Sequence, residues 1–302
     1  MVVYSILSTD RDLQFVRVQR NYMPPSYDPT SYTLDNALLD ASVTITAPTK
    51  TYRFMDTLLW QSDTSRYRFP LHSFFAKPFT PQRGTSYVID ILSPSMGNVT
   101  VNVAVPGQAK ITLWPEAQRV LDFPNKNPLD ARINVSVKLS KAAKGCIIRF
   151  FVWYDVLIGS EWIEEAIEIP VGSYGSHPYT LEIPVYPKMT PAPASAETGV
   201  AYDNGYYKGI INKLNDKYRS NLLFFKWIAI VVLQADENLY KYYVTSHTNV
   251  DPWSVRLDEP MPSTISGGLG MVGAYTLDSL VYLLPDDFWG NRAGFLKSGL
   301  QR

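Results

Sequence analysis

The chain of 302 residues is 46% hydrophobic and 19% charged, which is enough apolar surface to build two cores and is unlike the composition of a disordered segment. Lys and Arg number 28, Asp and Glu number 28, and no basic run occurs, so the electrostatic footprint required for nucleic-acid binding is missing. The single cysteine, Cys146, excludes an internal disulfide and every cysteine-rich metal site.

Val2 to Leu7 reads as a strand from the outset, with neither the charged region nor the cleavage site of a signal peptide, so the chain is expected either to be cytoplasmic or to begin after processing. Gln14 to Arg20 and Ala41 to Thr46 alternate with period two, the mark of strands with one buried and one solvated face. Between them, Met23-Pro24-Pro25 and Asp28-Pro29 lack the donors of a continuous ladder and predict an exposed excursion. Further strands are predicted at Tyr52–Phe54, Arg66–Phe69, Ser86–Ile91 and Val99–Val105, with turns at Gln82-Arg83-Gly84 and Met96-Gly97-Asn98. Short strands at this spacing describe a β-sandwich that closes at Pro106-Gly107, giving a first domain over 1–107.

Beyond it, Ala131 to Val137 alternates again, and Cys146–Ile158, Gly159-Ser160 and Glu161–Ile169 form a hairpin with glycine in the turn. Cys146 sits at the strand start as a buried, inert thiol. A proline-rich passage from Ile183 to Pro193 leads into a helix over Tyr206–Lys217, where Tyr206, Ile210 and Leu214 recur at helical spacing. Leu222–Leu233 is β-branched and apolar, a buried strand; with Lys226 inside it and so few residues, it falls short of the ~20 apolar residues that cross a bilayer. Asp236 caps a second short helix that presents Leu239, Tyr243 and His247. The predicted fold class is mostly β: two β-sandwich domains of immunoglobulin or fibronectin type, 1–107 and 108–302, the second with helices near 206–217 and 236–247.

Several constellations invite chemistry. Gly268-Leu269-Gly270-Met271-Val272-Gly273 spells GxGxxG, but Ala274–Leu277 reads as strand where a dinucleotide fold needs a helix, and too little chain follows. Glu161, Glu164, Glu165 and Glu168 surround Trp162 like a glycosidase pair with a stacking ring. On a strand, however, the same-face pairs are four residues apart, about 13 Å, beyond the roughly 5–9.5 Å that hydrolysis uses. Those carboxylates are expected on a solvated face. Asp278, Asp286 and Asp287 match no calcium loop, His72, His177 and His247 have no metal spacing, and GxSxG, P-loop and CxxC motifs are absent. No catalytic residue, metal or cofactor is therefore expected. The ligand candidates are Tyr202, Tyr206, Tyr207 and Trp253, rings flanked by amides that suit a glycan or peptide. Gly267, Gly268, Gly270 and Gly273 are expected in a loop or bulged strand edge near the end of the second sandwich, needing positive φ or close backbone approach, and serving either internal packing or partner contact.

Three stretches carry a resemblance. Val2–Leu7 with Gln14–Val18, Gly84–Ile91 with Val103–Pro106, and Glu237–Tyr242 with Ser263–Gly270 are together similar to a family of Bacteroidota outer-surface lipoproteins catalogued as domain of unknown function 4249. The resemblance implies an N-terminally lipidated, extracytoplasmic β-sandwich protein at the outer membrane or cell surface, partnered by an envelope protein such as a TonB-dependent transporter. It carries over no catalytic residues. This chain departs from the pattern in having no lipobox or anchoring cysteine, so membrane association is implied only through an N-terminal lipid.

Overall fold

The computed structural model describes residues 1–21, 36–60, 70–114, 132–174, 183–218, 221–247 and 263–283, and these are mostly β, arranged in several sheets. In chain order the strands are β1 Val2–Ser8, β2 Gln14–Gln19, β3 Ser42–Thr46, β4 Thr51–Arg53, β5 Met55–Leu59, β6 Leu71–Ala76, β7 Ser86–Ser93, β8 Gly97–Ala104 and β9 Lys110–Trp114. There follow β10 Arg132–Lys138, β11 Gly145–Ile158, β12 Glu161–Ile169, β13 Gly172–Tyr174, β14 Ile183–Val185, β15 Thr190–Pro191 and β16 Glu197–Asp203. Helix α1 Asn204–Lys217, β17 Leu223–Ala235, helix α2 Glu237–His247 and β18 Leu269–Leu283 complete the chain. The predicted loop around Met23–Pro29 and the predicted strand Arg66–Phe69 lie outside the described residues.

By contacts the chain forms two compact units: Met1–Gln108, Ser140–Gly145 and Gln234–Thr276 make the first, and Ala109–Leu139, Cys146–Leu233 and Leu277–Arg302 the second. Helix α2, which the sequence reading attaches to the C-terminal part, groups with the first unit.

In the first unit one sheet runs β18-β1-β2-β6-β5 and another runs β4-β3-β7-β8. Alternation places Val16 and Val18 of β2, Val43 and Ile45 of β3, Ile89 and Ile91 of β7, and Val101 and Val103 of β8 in one shared core, where none is more than 1% exposed. Each such side chain contributes about 1.5–3 kcal/mol on burial. Phe79 packs against Tyr52 and Tyr87 at ring separations of 4.5 and 5.7 Å. Buried Gln14 braces the β1–β2 connection: its Oε1 accepts from Ser8 N at 3.0 Å, and its Nε2 donates to the carbonyls of Ser8 and Arg11 at 3.0 and 2.7 Å. Strands β5 and β6 escape a period-two reading because Leu71-His72-Ser73-Phe74-Phe75-Ala76 does not alternate.

The glycine-rich segment corrects the sequence reading. Gly267 and Gly268 do lie in a turn, but in the first unit, and from Leu269 the segment is the start of β18, inside the first unit's sheet, paired in parallel with β1 from Val2↔Leu269 to Ser8↔Tyr275. The expected positive φ and close backbone approach both occur. Gly270 has φ +112° and a Cβ there would overlap the Val3 carbonyl oxygen, while a Cβ on Gly273 would lie 2.8 Å from both Asp236 Oδ1 and Leu239 N. Gly267 and Gly268 are less tightly enclosed: a Cβ would lie 3.1 Å from Asn98 O at Gly267 and 3.0 Å from Val99 Cγ2 at Gly268. Bare backbone at Gly273 thus admits the N-terminus of α2, which Asp236 caps by accepting from Leu239 N at 2.9 Å. Asn238 Nδ2 ties the same turn to the carbonyls of Val272 at 2.8 Å and Asn102 at 3.1 Å. Asp236 is only 2% exposed, and burial pushes its carboxyl up to about 6 despite the backbone donors of Leu239 and Ala274.

In the second unit β16-β10-β9 form one sheet, β12-β11-β17 run side by side, β13 pairs with β14, and β15 pairs with β11. Ile133, Val135 and Val137 of β10 alternate inward. Cys146 is buried at the start of β11 with its Sγ 3.6 Å from Thr190 Oγ1, and burial pushes the thiol pKa up, away from reactive thiolate.

Candidate binding face

The hairpin β11–β12 turns through Gly159 at φ +64°, with Ile158 opposite Glu161 and Phe150 opposite Ile169, as its glycine turn predicts. Period two then divides β11. Phe150, Val152, Tyr154 and Val156 are buried to within 2% exposure, while Arg149, Phe151, Trp153, Asp155 and Leu157 share the other face. Cross-strand pairing adds Glu168 opposite Phe151, Ala166 opposite Trp153, Glu164 opposite Asp155 and Trp162 opposite Leu157. From β17, Trp227 meets Trp153 at 5.9 Å with planes 31° apart, and both rings are half-buried. Lys226 lies 4.5 Å over the Trp227 ring, Arg149 4.7 Å over Phe151.

The cations on this face are fixed. Arg149 donates to both Glu168 oxygens, through Nε at 2.9 Å and Nη2 at 2.5 Å, and this pairing raises its pKa above the usual guanidinium value. Lys226 bridges Glu164 and Asp155, the latter at 3.3 Å, and the hydrogen bond to Glu164 most of all holds its ammonium above the ordinary lysine range. The glutamates predicted to be solvated are therefore not alike. Glu164 and Glu168 join ion pairs, and Glu165 points to the other side, accepting from Tyr154 Oη and Tyr218 Oη at 2.6 Å each and from Lys217 Nζ at 3.2 Å. Hydrogen bonds from Tyr154 first, then Tyr218 and Lys217, hold Glu165 below the usual carboxylate range; burial raises Tyr154. A carboxylate kept ionised by three donors is a poor proton donor, and its place is to pin the end of α1 to β12.

The sequence-predicted ligand residues that the structure describes fall in different surroundings. Tyr202 is 1% exposed, packs edge-on against Phe150 at 5.2 Å and donates from Oη to the Ile148 carbonyl at 3.0 Å, so it is a core ring with a satisfied hydroxyl. Tyr206 is half-buried on α1, Tyr207 lies on the same helix, and Trp253 is outside the described residues. Gly267, Gly268, Gly270 and Gly273 belong to the first unit. Asp278 is buried and accepts from Ala109 N at 2.9 Å; Asp286, Asp287 and His177 lie outside the described residues. Among the described residues no three His, Cys, Asp or Glu side chains group as metal ligands, and no helix is long and apolar enough to cross a membrane. What sequence reasoning missed is the ring face itself, although Phe151 and Trp153 at alternate positions, on a strand whose other face is also apolar, are its signal.

Compared with known proteins, residues 1–280 match the model of a family described as domain of unknown function (DUF4249). No curated protein matches. Among solved structures, the adhesin InvE of Yersinia pseudotuberculosis is similar at 10% identity over 78% of this chain and 55% of the adhesin, with a TM-score of 0.17. The chain thus spans about 55% of that structure's length.

Proposed function

We propose, from the premise that the chain belongs to the DUF4249 family, that the protein is a non-catalytic binding or assembly module of the cell envelope. It acts outside the cytoplasm, at the outer membrane or cell surface, through an N-terminal lipid, as an accessory to a TonB-dependent transporter or another envelope complex. Its two units are β-sandwiches of immunoglobulin or fibronectin type, with two short helices attached. The observation that supports a binding role is the face of β11, β12 and β17, where Phe151, Trp153, Trp162 and Trp227 are held half-buried beside fixed ion pairs. Cross-linked co-purification from native membranes tests it: a transporter barrel should be enriched with the wild-type chain and depleted with Trp153→Ala. Isolation of the native protein alone from the cytoplasm would sink the reading.

A second reading, a carbohydrate- or peptide-binding module that uses aromatic residues, is favoured by the Trp153–Trp227 pair, a ring platform in place of the buried Tyr202.

A further inference from the structure

Rings beside neutralised charges suit one kind of ligand better than others. We propose that the outward face of β11, β12 and β17 binds an uncharged pyranose unit of a glycan, an inference that rests on the second reading above. Trp153 and Trp227, 5.9 Å apart and 31° from parallel, form a ring pair about as wide as one sugar, against whose apolar face the C–H groups of a pyranose pack. A peptide captured as an added strand would need free backbone groups at a sheet edge. An added strand would therefore pair at the outer edge of β12, which ends this sheet, and not on the face itself, where β11 is engaged with β12 through Trp153↔Ala166 and Asp155↔Glu164 and only side chains meet a ligand.

Charge decides between neutral and acidic sugars. Among the described residues the face carries two cations, Arg149 and Lys226, against three carboxylates, Asp155, Glu164 and Glu168, one negative charge in excess, and each cation is already paired. An anionic ligand is repelled there. Hydroxyl groups fit, because they donate to the remaining carboxylate lone pairs and accept from the remaining N–H groups. Arg149 and Glu164 are 46% and 44% exposed, so the rim can be reached from solvent.

The test is tryptophan fluorescence and calorimetric titration of the full chain with cellohexaose, mannohexaose and xylohexaose, with trigalacturonate as the acidic counterpart. At least one neutral hexasaccharide should bind, and Trp227→Ala should weaken it about tenfold or more, the size of one lost ring contact. Should Trp227→Ala fail to fold, Trp227→Leu keeps apolar volume and removes only the ring. The proposal is overturned if none of the neutral sugars binds at millimolar concentration, if trigalacturonate binds better, or if the Trp variants bind as well as wild type. Loss of a co-purifying envelope protein in the Trp variants without any glycan binding would overturn the pyranose and leave the face a protein interface. No effect on either would remove both.

Discussion

Replacing Asp236 by Asn tests a carboxyl whose pKa burial raises, against the direction of the other shifted carboxyls among the described residues. The side chain is 2% exposed and its pKa is raised from 3.8 to about 6, chiefly by burial. Moving a carboxyl over that interval corresponds to about 3 kcal/mol between its protonation states. Because the folded state holds the proton more tightly than the unfolded chain, this stabilisation is complete below 3.8 and is lost as pH rises through about 6. Asn keeps an oxygen that accepts from Leu239 N and carries no charge to bury, but loses the acceptor facing the Ala274 backbone, a loss of about 1 kcal/mol. Asp236→Asn should therefore gain about 2 kcal/mol at pH 8, from the ~3 kcal/mol burial penalty less the lost hydrogen bond, and little or nothing at pH 4. Urea unfolding of both proteins at the two pH values measures it. If Asp236→Asn is destabilised at pH 8 while wild type weakens on acidification from 7 to 5, the helix N-terminus stabilises the anion more than burial penalises it, and the reasoning fails.

Gly270→Ala, at φ +112° with its Cβ driven into the Val3 carbonyl, should cost at least about 3 kcal/mol or abolish folding, whereas Gly97→Ala, at φ +83° in open space, should cost about 1 kcal/mol; equal melting temperatures would refute the contact argument. Glu165→Gln should lower stability by about 1–3 kcal/mol at neutral pH. Since the Glu165 pKa is lowered from 4.5, that difference should be present above 4.5 and vanish as pH falls below it, as thermal melts along a pH series would show. Tyr202→Phe should destabilise by about 1–2 kcal/mol, leaving the Ile148 carbonyl without its donor, and should not alter ligand binding; a binding defect without a stability change would restore Tyr202 as a site residue.

What could be read from the sequence was whatever depends on neighbours along the chain. Alternation in Gln14–Gln19 and Gly97–Ala104, the turn at Gly159, and the cap at Asp236 are local patterns, and each is found where its residues predict it. The glycines of 267–273 were legible as positions of close approach, but not the approaching partner, because Val3 and Leu239 lie far away in sequence. The ring face was hidden for a related reason. Trp153 and Trp227 come from strands separated by several elements, and Tyr202, which looked like a ligand ring beside Asp203 and Asn204, is claimed by Phe150 and the Ile148 carbonyl. Local composition names a ring's chemistry; only the sheet order decides whether it faces a core or a ligand.

The parallel pairing of β1 with β18 also sets a schedule for folding. Val2 finds its partner at Leu269, so during synthesis β1 must wait for β18. Were the chain between them still unfolded, closing so long a loop would cost about 5 kcal/mol of entropy, and contacts of this span slow folding. Until β18 arrives, one side of β1 is an open row of backbone donors and acceptors beside Val3 and Leu7, a template onto which another nascent chain can add. A fragment ending before Leu269 should therefore associate through β1 even though β2, β3, β7 and β8 are all present.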